Sequence, residues 1–370
     1  MASYVKEAKM KAVIAMSGGV DSSVAAALLK EAGHDVIGIT MRLWPRSVDD
    51  NSNKSSSICC GLDAIEDARR VADNLKIPHN LLDLSDVFTE MVVDDFCNEY
   101  NMGRTPNPCI RCNRYVKFGA LMEKANEIGA DLIATGHHAR IEPDEKSDTL
   151  LLKKGSDTKK DQSYFLCQLT QKQLSRTIFP IGNLTKDKVR EMAHELNLPI
   201  ADKPESQEIC FIPDDNYAEF INNYIPIKSE PGPILDEQGN LRGEHRGLMF
   251  YTVGQRKGLG IASTKPLYVT AIETERNTVI VGTRDRTFGR ELVAANLNWI
   301  AGTAPRQPIS VKARIRYRHR EADATVTPLG NGDVHVQFRK PQMAITPGQA
   351  VVFYDGDTVI GGGTIMRQGS

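Results

Sequence analysis

Two apolar patterns alternate along the first part of the chain. Short apolar runs at 12–16, 36–41 and 132–134 predict buried strands, and a further strand is expected near 80–84. Between these runs apolar residues recur every three or four positions, most clearly from Ala64 to Leu75, which predicts amphipathic helices. Repeated alternation of strand and helix is typical of an α/β domain whose parallel sheet is covered on both faces.

The pattern changes after about residue 221. Glycine and proline then separate short β-like runs at 267–272, 278–281, 311–320, 333–338 and 350–354. Short strands of this kind predict a small central domain followed by an antiparallel β-barrel. We therefore expect three domains: a catalytic α/β domain at 1–221, a central domain at 222–288 and a C-terminal β-barrel at 289–370.

The composition of the chain bears on its cellular location and on the kinds of site it can contain. The longest apolar runs span six residues, as at Val24–Leu29, and the N-terminal segment lacks the apolar stretch of a signal peptide. We therefore expect a cytoplasmic protein without membrane contact. The formal net charge of −1 means that any nucleic-acid site must be a local patch. Seven cysteines, an odd number, argue against a disulfide framework, and Cys97 and Cys167 are expected to be core residues.

The first candidate functional motif lies at the end of the first predicted strand. The segment at 17–22 reads Ser-Gly-Gly-Val-Asp-Ser, and its glycines allow a sharp turn that brings backbone N–H groups close to an anion. The helix that follows points its positive dipole end at the same place. Asp21 is suited to holding Mg²⁺. The alternative is a plain strand–turn–helix junction in which Asp21 or Ser22 caps the helix.

No Gly-Lys-Ser/Thr follows this segment, so it is not a Walker A loop. It resembles instead the pyrophosphatase loop of enzymes that split ATP between the α and β phosphates. In such parallel sheets the ligand lies beyond the carboxyl ends of the strands. At these strand ends Met41 would contact the adenine, Gly136 would allow close approach of the nucleotide, and either His137 or His138 would face the substrate. The ATP-binding residues that the resemblance implies are Ala15, Met16, Ser17, Gly18, Gly19, Val20, Asp21, Ser22, Met41 and Gly136.

Two cysteines spaced by two residues lie in the stretch Gly103-Arg-Thr-Pro-Asn-Pro-Cys109-Ile-Arg-Cys112-Asn113. Prolines on either side of Asn107 predict a rigid, non-helical loop. Cys112 precedes a helical pattern that begins near Val116, and the N-terminus of that helix would favour a thiolate. The spacing alone fits a thiol-redox pair, half of a zinc site or part of an iron–sulfur ligand set, although a second pair for a zinc ribbon is missing. Cys210 lies in a polar segment without periodicity, which we expect to be mobile and reactive.

Six motifs stand in a fixed order along the chain. They are Ser-Gly-Gly-Val-Asp-Ser at 17–22, Gly-Arg-Thr-Pro-Asn-Pro-Cys-x-x-Cys-Asn at 103–113, Ala-Thr-Gly-His at 134–137, Lys-Asp-Gln-Ser-Tyr at 160–164, Ser-Gln-Glu-Ile-Cys at 206–210 and Tyr-Thr-Val-Gly-Gln-Arg-Lys-Gly-Leu at 251–259. With these motifs the chain resembles tRNA-specific 2-thiouridylases over nearly its whole length. The resemblance implies an ATP-pyrophosphatase domain of the adenine nucleotide α-hydrolase type. It also implies 2-thiolation of the wobble uridine in tRNA anticodons, by adenylation of the uridine carbonyl oxygen and sulfur transfer from a cysteine persulfide, with ATP and Mg²⁺.

The same resemblance implies roles for individual residues. Cys112 would be the nucleophile that ends in a disulfide, and Cys210 would carry the persulfide sulfur donated by a sulfur carrier or a cysteine desulfurase. Relatives have Asp or Cys at the position of Cys109, so the Cys here does not favour a direct acid–base role. It leaves an iron–sulfur cluster on these three cysteines as an alternative. The residues implied to contact tRNA or its target base are Asn107, Pro108, Cys109, His137, Lys160, Asp161, Gln162, Arg316, Tyr317 and Gln349.

Basic residues occupy every second position from Lys312 to Arg320. A strand there would present five cations on one face, and a phosphate backbone is a suitable counter-charge for them. We therefore expect tRNA to contact this strand. Competing interpretations are an ATP-splitting enzyme for a small molecule and a non-catalytic nucleotide- or RNA-binding module, neither of which needs two reactive cysteines.

Overall fold

The structure, a computed structural model, describes residues 9–44, 62–204, 209–212, 216–224 and 230–368. Its strands are β1 (Lys11–Ala15), β2 (Asp35–Arg42), β3 (His79–Asp83), β4 (Leu132–Ala134), β5 (Ala139–Pro143), β6 (Leu150–Lys154), β7 (Thr177–Ile178), β8 (Gly232–Asp236), β9 (Leu241–His245), β10 (Tyr268–Glu273), β11 (Thr278–Gly282), β12 (Phe288–Trp299), β13 (Ile309–Arg314), β14 (Ala322–Pro328), β15 (Val334–Met343), β16 (Ala350–Asp355) and β17 (Thr358–Gln368). Its α-helices are α1 (Val20–Glu31), α2 (Leu62–Leu75), α3 (Ser85–Phe88), α4 (Asp94–Asn101), α5 (Pro108–Arg111), α6 (Leu121–Glu127), α7 (Gln171–Leu174), α8 (Lys186–Glu195) and α9 (Tyr217–Tyr224). Wider, π-type turns at Thr89–Val93 and Cys112–Ala120 join α3 to α4 and α5 to α6.

The first sheet is parallel, with its strands in the order β3-β2-β1-β4-β7. Alternate residues of β1 enter two different cores. Ile14 packs with the apolar faces of α1, α2 and α8, whereas Val13 packs with the helical segments between Ser85 and Glu127. A strand buried on both faces needs apolar residues at nearly every position, which is the pattern of β1, whereas the edge strand β3 is largely exposed. The predicted α/β domain with a covered parallel sheet is confirmed.

The central part of the chain forms a sheet in the order β10-β11-β8-β9. Its small core contains Ile234 from β8, Val269 from β10 and Val281 from β11. All neighbours in this sheet are antiparallel except β8 and β11. This arrangement confirms the small central domain as a separate β unit.

The C-terminal strands close into an antiparallel barrel in the order β12-β15-β14-β13-β16-β17, and β17 pairs back to β12. The predicted barrel is therefore confirmed. The predicted strand from residue 311 to 320 is wrong at its end, because β13 ends at Arg314 and bends and turns follow. The alternation of the sequence continues past the strand, but the backbone leaves the sheet.

The barrel sheet also extends into the α/β part of the chain. The hairpin of β5 and β6 joins it because β6 pairs with β17, with Lys153 opposite Thr358 and Leu152 opposite Val359. Backbone hydrogen bonds thus tie the two parts together. The domain limits at 221 and 288 remain predictions. None of the described helices combines the length and the apolar character required to cross a bilayer.

Candidate active site

The turn between β1 and α1 is held by its own residues. Gly18 has a φ of 68°, and a Cβ on it would lie 2.3 Å from the carbonyl oxygen of Ala64, so only glycine fits there. The Ser22 hydroxyl donates to the Gly19 carbonyl at 3.1 Å and accepts from the Ser17 N–H at 3.2 Å. Since α1 begins at Val20, its first N–H groups have no partner within the helix. The turn therefore has the form of an anion site.

Asp21 lies in the first turn of α1 and faces two nitrogen-bearing side chains. Its Oδ1 is 2.7 Å from Lys186 Nζ and 3.5 Å from His138 Nε2. Burial alone would raise the pKa of Asp21, but the contact with His138 and the charge of Lys186 outweigh it and hold that pKa below its usual value. The carboxylate is therefore ionised at neutral pH.

Lys186 was not predicted from the sequence. It begins α8, directly after the capping residue Thr185, and its side chain is only 9% exposed. Lys203 approaches the same turn and donates to the Gly18 carbonyl at 3.0 Å. Both lysines come from parts of the chain far from the turn, and no motif surrounds either, so only the folded structure identifies this positive charge beside the anion site.

The other residues that were predicted to bind ATP lie at the strand ends near the turn. Met41 is buried near the end of β2, and Ala15 and Met16 are buried at the end of β1. A Cβ on Gly136 would lie 2.6 Å from the backbone nitrogen of Ser22. The absence of a side chain at Gly136 thus allows the N-terminus of α1 to pack closely against it.

His137 faces the core. Its Nδ1 lies 2.7 Å from the Thr135 hydroxyl, and its ring packs near the rings of Phe118 and Phe179. Burial, followed by the charge of Lys117, lowers the pKa of His137 well below its usual value, so this imidazole is neutral. In this arrangement the ring supports the strand end, and its role towards a substrate remains a prediction.

The helix that carries Cys112 begins earlier than predicted. Asn107 caps it, with its Oδ1 accepting from the Ile110 N–H at 3.2 Å, and Pro108 occupies the first helical position. The expected non-helical loop up to Val116 is therefore wrong. Asn followed by Pro is itself a helix-start signal, because Pro supplies the required φ and loses no needed donor. As a result Cys109, and not Cys112, occupies the first turn.

Cys112 and Cys210 both contact the same extended hydrophobic core. Cys112 is 9% exposed and lies in the core that also contains Ala15 and Met41, and the half-buried Cys210 packs against this same core. The neighbours of Cys210 at 206–208 lie outside the described residues. Burial raises the pKa of the Cys97 and Cys167 thiols to about 12, in agreement with their predicted role as core residues.

The loop that precedes α5 is held by the other two domains. The Thr105 hydroxyl donates to Thr252 Oγ1 at 3.1 Å, and the Thr105 N–H donates to the Pro347 carbonyl at 2.8 Å. Gln349 donates from its Nε2 to the carbonyls of Thr105 and Pro106, at 3.0 Å each. Gln349 was predicted as a tRNA contact, which stays a prediction, and its amide nitrogen holds the loop.

The predicted basic face of β13 does not exist as a row of five cations. Lys312 forms an ion pair with Asp323 at 2.9 Å, and Arg314 forms one with Glu321 at 2.9 Å. Arg316 lies beyond the strand and is half-buried. Two of the five cations, Lys312 and Arg314, are thus paired with acidic residues of β14 and the segment before it.

Arg316 and Tyr317 pack against other parts of the protein. Arg316 donates to the Val253 carbonyl at 2.9 Å and to the Thr346 hydroxyl. Burial lowers the pKa of its guanidinium. The ring of Tyr317 is 4.4 Å from that of Phe165. Arg316 therefore links the central domain to the barrel close to the loop that Gln349 holds.

The Lys160-Asp161-Gln162 segment connects the ATP side of the molecule to the barrel. The buried Asp161 carboxylate accepts from the Ser163 N–H at 3.0 Å and lies 3.6 Å from Arg314 Nη1. Gln162 exchanges two hydrogen bonds of 2.9 Å with the backbone of His138. Lys160 is half-buried. Asp161 and Gln162 thus position this segment between the two domains.

Comparisons with known proteins agree with this architecture. The family described as the tRNA methyl transferase HUP domain matches residues 10–214. The tRNA methyl transferase PRC-barrel domain matches 218–283, and the aminomethyltransferase beta-barrel domain matches 289–365.

Two curated relatives match almost from end to end. The tRNA-specific 2-thiouridylase MnmA 1 of Caldanaerobacter subterraneus subsp. tengcongensis is 52% identical over 98% of this chain and 99% of its own. The chain belongs to the tRNA-specific 2-thiouridylase family. Another member, MnmA of Heliobacterium modesticaldum, is 52% identical over 97% of this chain and 93% of its own. Among solved structures, a 4-thiouridine synthetase–RNA complex with bound ATP covers 59% of this chain and 50% of its own at 18% identity, with a TM-score of 0.37, which is too low to support an inference.

For this member of the family we asked which residues could hold a metal. Among the residues with described positions, no three His, Cys, Asp or Glu side chains are grouped as a metal site. Mg²⁺ that arrives with ATP needs only one or two carboxylates besides phosphate oxygens, and the ionised Asp21 offers one.

Proposed function

We propose that the chain is an ATP-dependent tRNA-uridine 2-sulfurtransferase that converts the wobble uridine of tRNA anticodons to 2-thiouridine, releasing AMP and pyrophosphate. The observation that carries this proposal is the packing of Cys112 and Cys210 against the core that holds the strand ends of the phosphate turn. The names of the 52% identical relatives support the reaction.

The first step activates the uridine. Its carbonyl at carbon 2 is amide-like, with a poor leaving group, and adenylation of the oxygen converts it into a good one while pyrophosphate leaves. The N–H groups at the start of α1 would bind the phosphates, and Lys186 would add positive charge beside them. Asp21 would hold Mg²⁺, which neutralises phosphate charge when it is bound. Asn107 and Cys109 would line the target base.

The second step transfers sulfur. The terminal sulfur of a persulfide on Cys210 attacks carbon 2, and AMP leaves with its former oxygen. The Cys112 thiolate then attacks the Cys210 sulfur, so that the S–S bond of the persulfide breaks and the sulfur stays on the base. The two cysteines end as a disulfide, which an external thiol reductant must reduce. A sulfur carrier or a cysteine desulfurase in the cytoplasm would supply the next persulfide.

A disulfide can form only if Cys112 and Cys210 come close together. Cα atoms of a disulfide lie within about 7 Å of each other, so the segment that carries Cys210 has to bring it to Cys112 during the cycle. Cys112 is fixed within a helix, whereas Cys210 is only half-buried. We therefore assign the movement to the Cys210 segment, triggered by tRNA binding.

Three single variants test the sulfur route. Cys112→Ser and Cys210→Ser should stop thiolation, because each removes one sulfur of the pair, while pyrophosphate release on tRNA continues. Cys109→Ser should retain most of the activity. The measurement is sulfur transferred per tRNA in a single turnover, with iron content determined after anaerobic purification. Equal loss in all three variants, with iron in the unmodified protein, would establish the cluster route instead.

A further inference from the structure

A cavity of about 280 Å³ opens between the Cys112 helix and the barrel. Its volume is close to the lower end of the range for small-ligand sites, so it has room for one ring system and not for an extended chain. The side chains that decide its chemistry are Arg114, Tyr115, Gln168 and Asn296. None of these residues has a role in the sulfur-transfer steps.

One wall of the cavity offers a flat surface for stacking. The Arg111 guanidinium lies 4.8 Å from the centre of the Tyr115 ring, and that of Arg114 lies 5.0 Å from it. Arg114 is oriented by a hydrogen bond of 3.0 Å to Gln168 Oε1, and Arg111 by a 2.9 Å ion pair with Asp95. Only Arg114 and Tyr115 of this stack reach the cavity. Planar cations and aromatic rings are the surfaces on which proteins stack unpaired nucleobases.

The opposite wall offers an amide. Asn296 has a φ of 52°, in the left-handed region, and lies where the register of β12 and β17 shifts between Ala295 and Asn298. Bulges of this kind redirect side chains and occur beside functional sites. The exposed Asn296 amide forms no hydrogen bond with other described residues, whereas the Asn298 amide is bound to the carbonyls of Cys167 and Leu169. Asn296 therefore presents both a donor and an acceptor.

We propose that this cavity binds an unstacked nucleobase of the tRNA substrate other than the target uridine. The base stacks on the Arg114–Tyr115 surface, and its edge bonds with the Asn296 amide. A neutral amide and an aromatic ring favour a base over a phosphate. Tyr115 follows Cys112 by three residues in one helical segment, so the cavity lies about one turn from the reactive sulfur, within reach of a neighbouring nucleotide. This inference rests on the proposed action on tRNA.

The first test compares Tyr115→Ala with Tyr115→Phe. The probe is an anticodon stem–loop RNA that carries a fluorescent base analogue at one loop position at a time. Tyr115→Ala should bind this RNA about 5- to 100-fold more weakly, because the stacking surface is lost. The salt dependence of RNA binding should not change, since no charge is removed. Tyr115→Phe, which keeps the ring, should bind the RNA normally. One loop position besides the target should change its fluorescence on binding, and that change should vanish in Tyr115→Ala.

A second pair of variants covers the case in which Tyr115→Ala unfolds. Asn296→Gly keeps the left-handed backbone and removes only the amide, and should weaken binding of the same RNA several-fold. Arg114→Gln should weaken it more than Lys124→Gln, a matched loss of charge at an exposed site on the same helical segment. Unchanged affinity in Asn296→Gly and in Arg114→Gln overturns the base site while leaving tRNA thiolation intact. Failure of the unmodified protein to bind or thiolate tRNA instead overturns the proposed function.

Discussion

The phosphate turn and the loop that leads to the cysteines differ in what holds them. The turn at Gly18 is held mainly by hydrogen bonds among residues 17–22, and its distant contacts are the Ala64 carbonyl, which requires glycine, and the Lys203 ammonium group. The loop before α5 is fixed by Thr252 of the central domain and by Pro347 and Gln349 of the barrel. The phosphate turn is thus held within the α/β domain, mainly by adjacent residues, whereas the loop is held by residues of all three domains.

This difference separates the two halves of the proposed chemistry. ATP binding relies on a strand, a turn and a helix, and needs remote residues only for charge, as at Lys186. Placement of the target base relies on contacts that form only when the central domain and the barrel are docked. Changes in the barrel should therefore affect sulfur transfer far more than ATP binding.

The largest effect is expected from Asp21→Asn, which would break the local site. The variant keeps the shape of the side chain and removes the charge that faces Lys186 and would hold Mg²⁺. Pyrophosphate release in the presence of tRNA should fall at least about 100-fold, since such charge stabilisation commonly contributes this much to a rate. Asp187→Asn removes an equal charge at an exposed neighbouring position of α8 and is the control. Normal pyrophosphate release in Asp21→Asn would exclude the turn from the mechanism.

Gln349→Leu tests the assembled site. It removes two hydrogen bonds to the loop, and a displacement of about 1 Å near a reacting group can cost about 100-fold in rate, so the single-turnover rate of thiolation should fall by about 10- to 100-fold. ATP affinity should not change. Gln342→Leu is the matched control, because the Gln342 amide bonds only to carbonyls of its own strand among the described residues. A loss confined to tRNA affinity would show that Gln349 contacts the RNA directly.

Arg316→Met and Arg318→Met distinguish an arginine that joins two domains from an exposed arginine that is available to RNA. Arg316→Met leaves the Val253 carbonyl without its donor and should lower the free energy of unfolding by about 1–3 kcal/mol in urea titrations. The exposed Arg318 should matter for RNA instead. Arg318→Met should lower the salt slope of tRNA binding by about one unit without changing stability. Equal losses of unfolding free energy in Arg316→Met and Arg318→Met would contradict these different roles.

The smallest effect concerns His137, which supports the ATP side. Because its pKa in the folded protein is depressed, the unfolded chain binds the proton more readily, and the free energy of unfolding should fall as the pH drops below about 6.5. One such group contributes a slope of at most about 1.4 kcal/mol per pH unit. His137→Gln should remove that part of the slope and leave the part due to His79, whose pKa is also lowered by burial.

Much of the fold followed from local patterns. The strands of the parallel sheet and the α2 face agree with their apolar periodicity, because residues buried on both faces or on one face leave a direct mark in the sequence. The start of α5 was also marked, by Asn107 and Pro108, but the prolines were interpreted only as loop residues. The turn at Gly18 was predictable because its geometry depends on adjacent residues.

The parts that were missed depend on distant contacts. β13 ends at Arg314 although the alternation continues, because Arg314 turns towards Asp161 and Glu321 and Arg316 towards Val253. Such pairings join residues far apart in the chain, and periodicity does not report them. Lys186 was missed for the same reason. Residues whose partners are distant in the chain carry no local signal.

The pairing of β6 with β17 has a consequence for how the protein is made. Leu152 leaves the ribosome about 200 residues before Val359, its partner across the sheet. At a synthesis rate of about 5–20 residues per second, the β6 edge stays open for roughly 10–40 seconds. An open strand edge of this kind invites pairing with another chain. Newly made copies should therefore depend on chaperone protection during this interval, and messages with slow codons between these two strands should yield more aggregate.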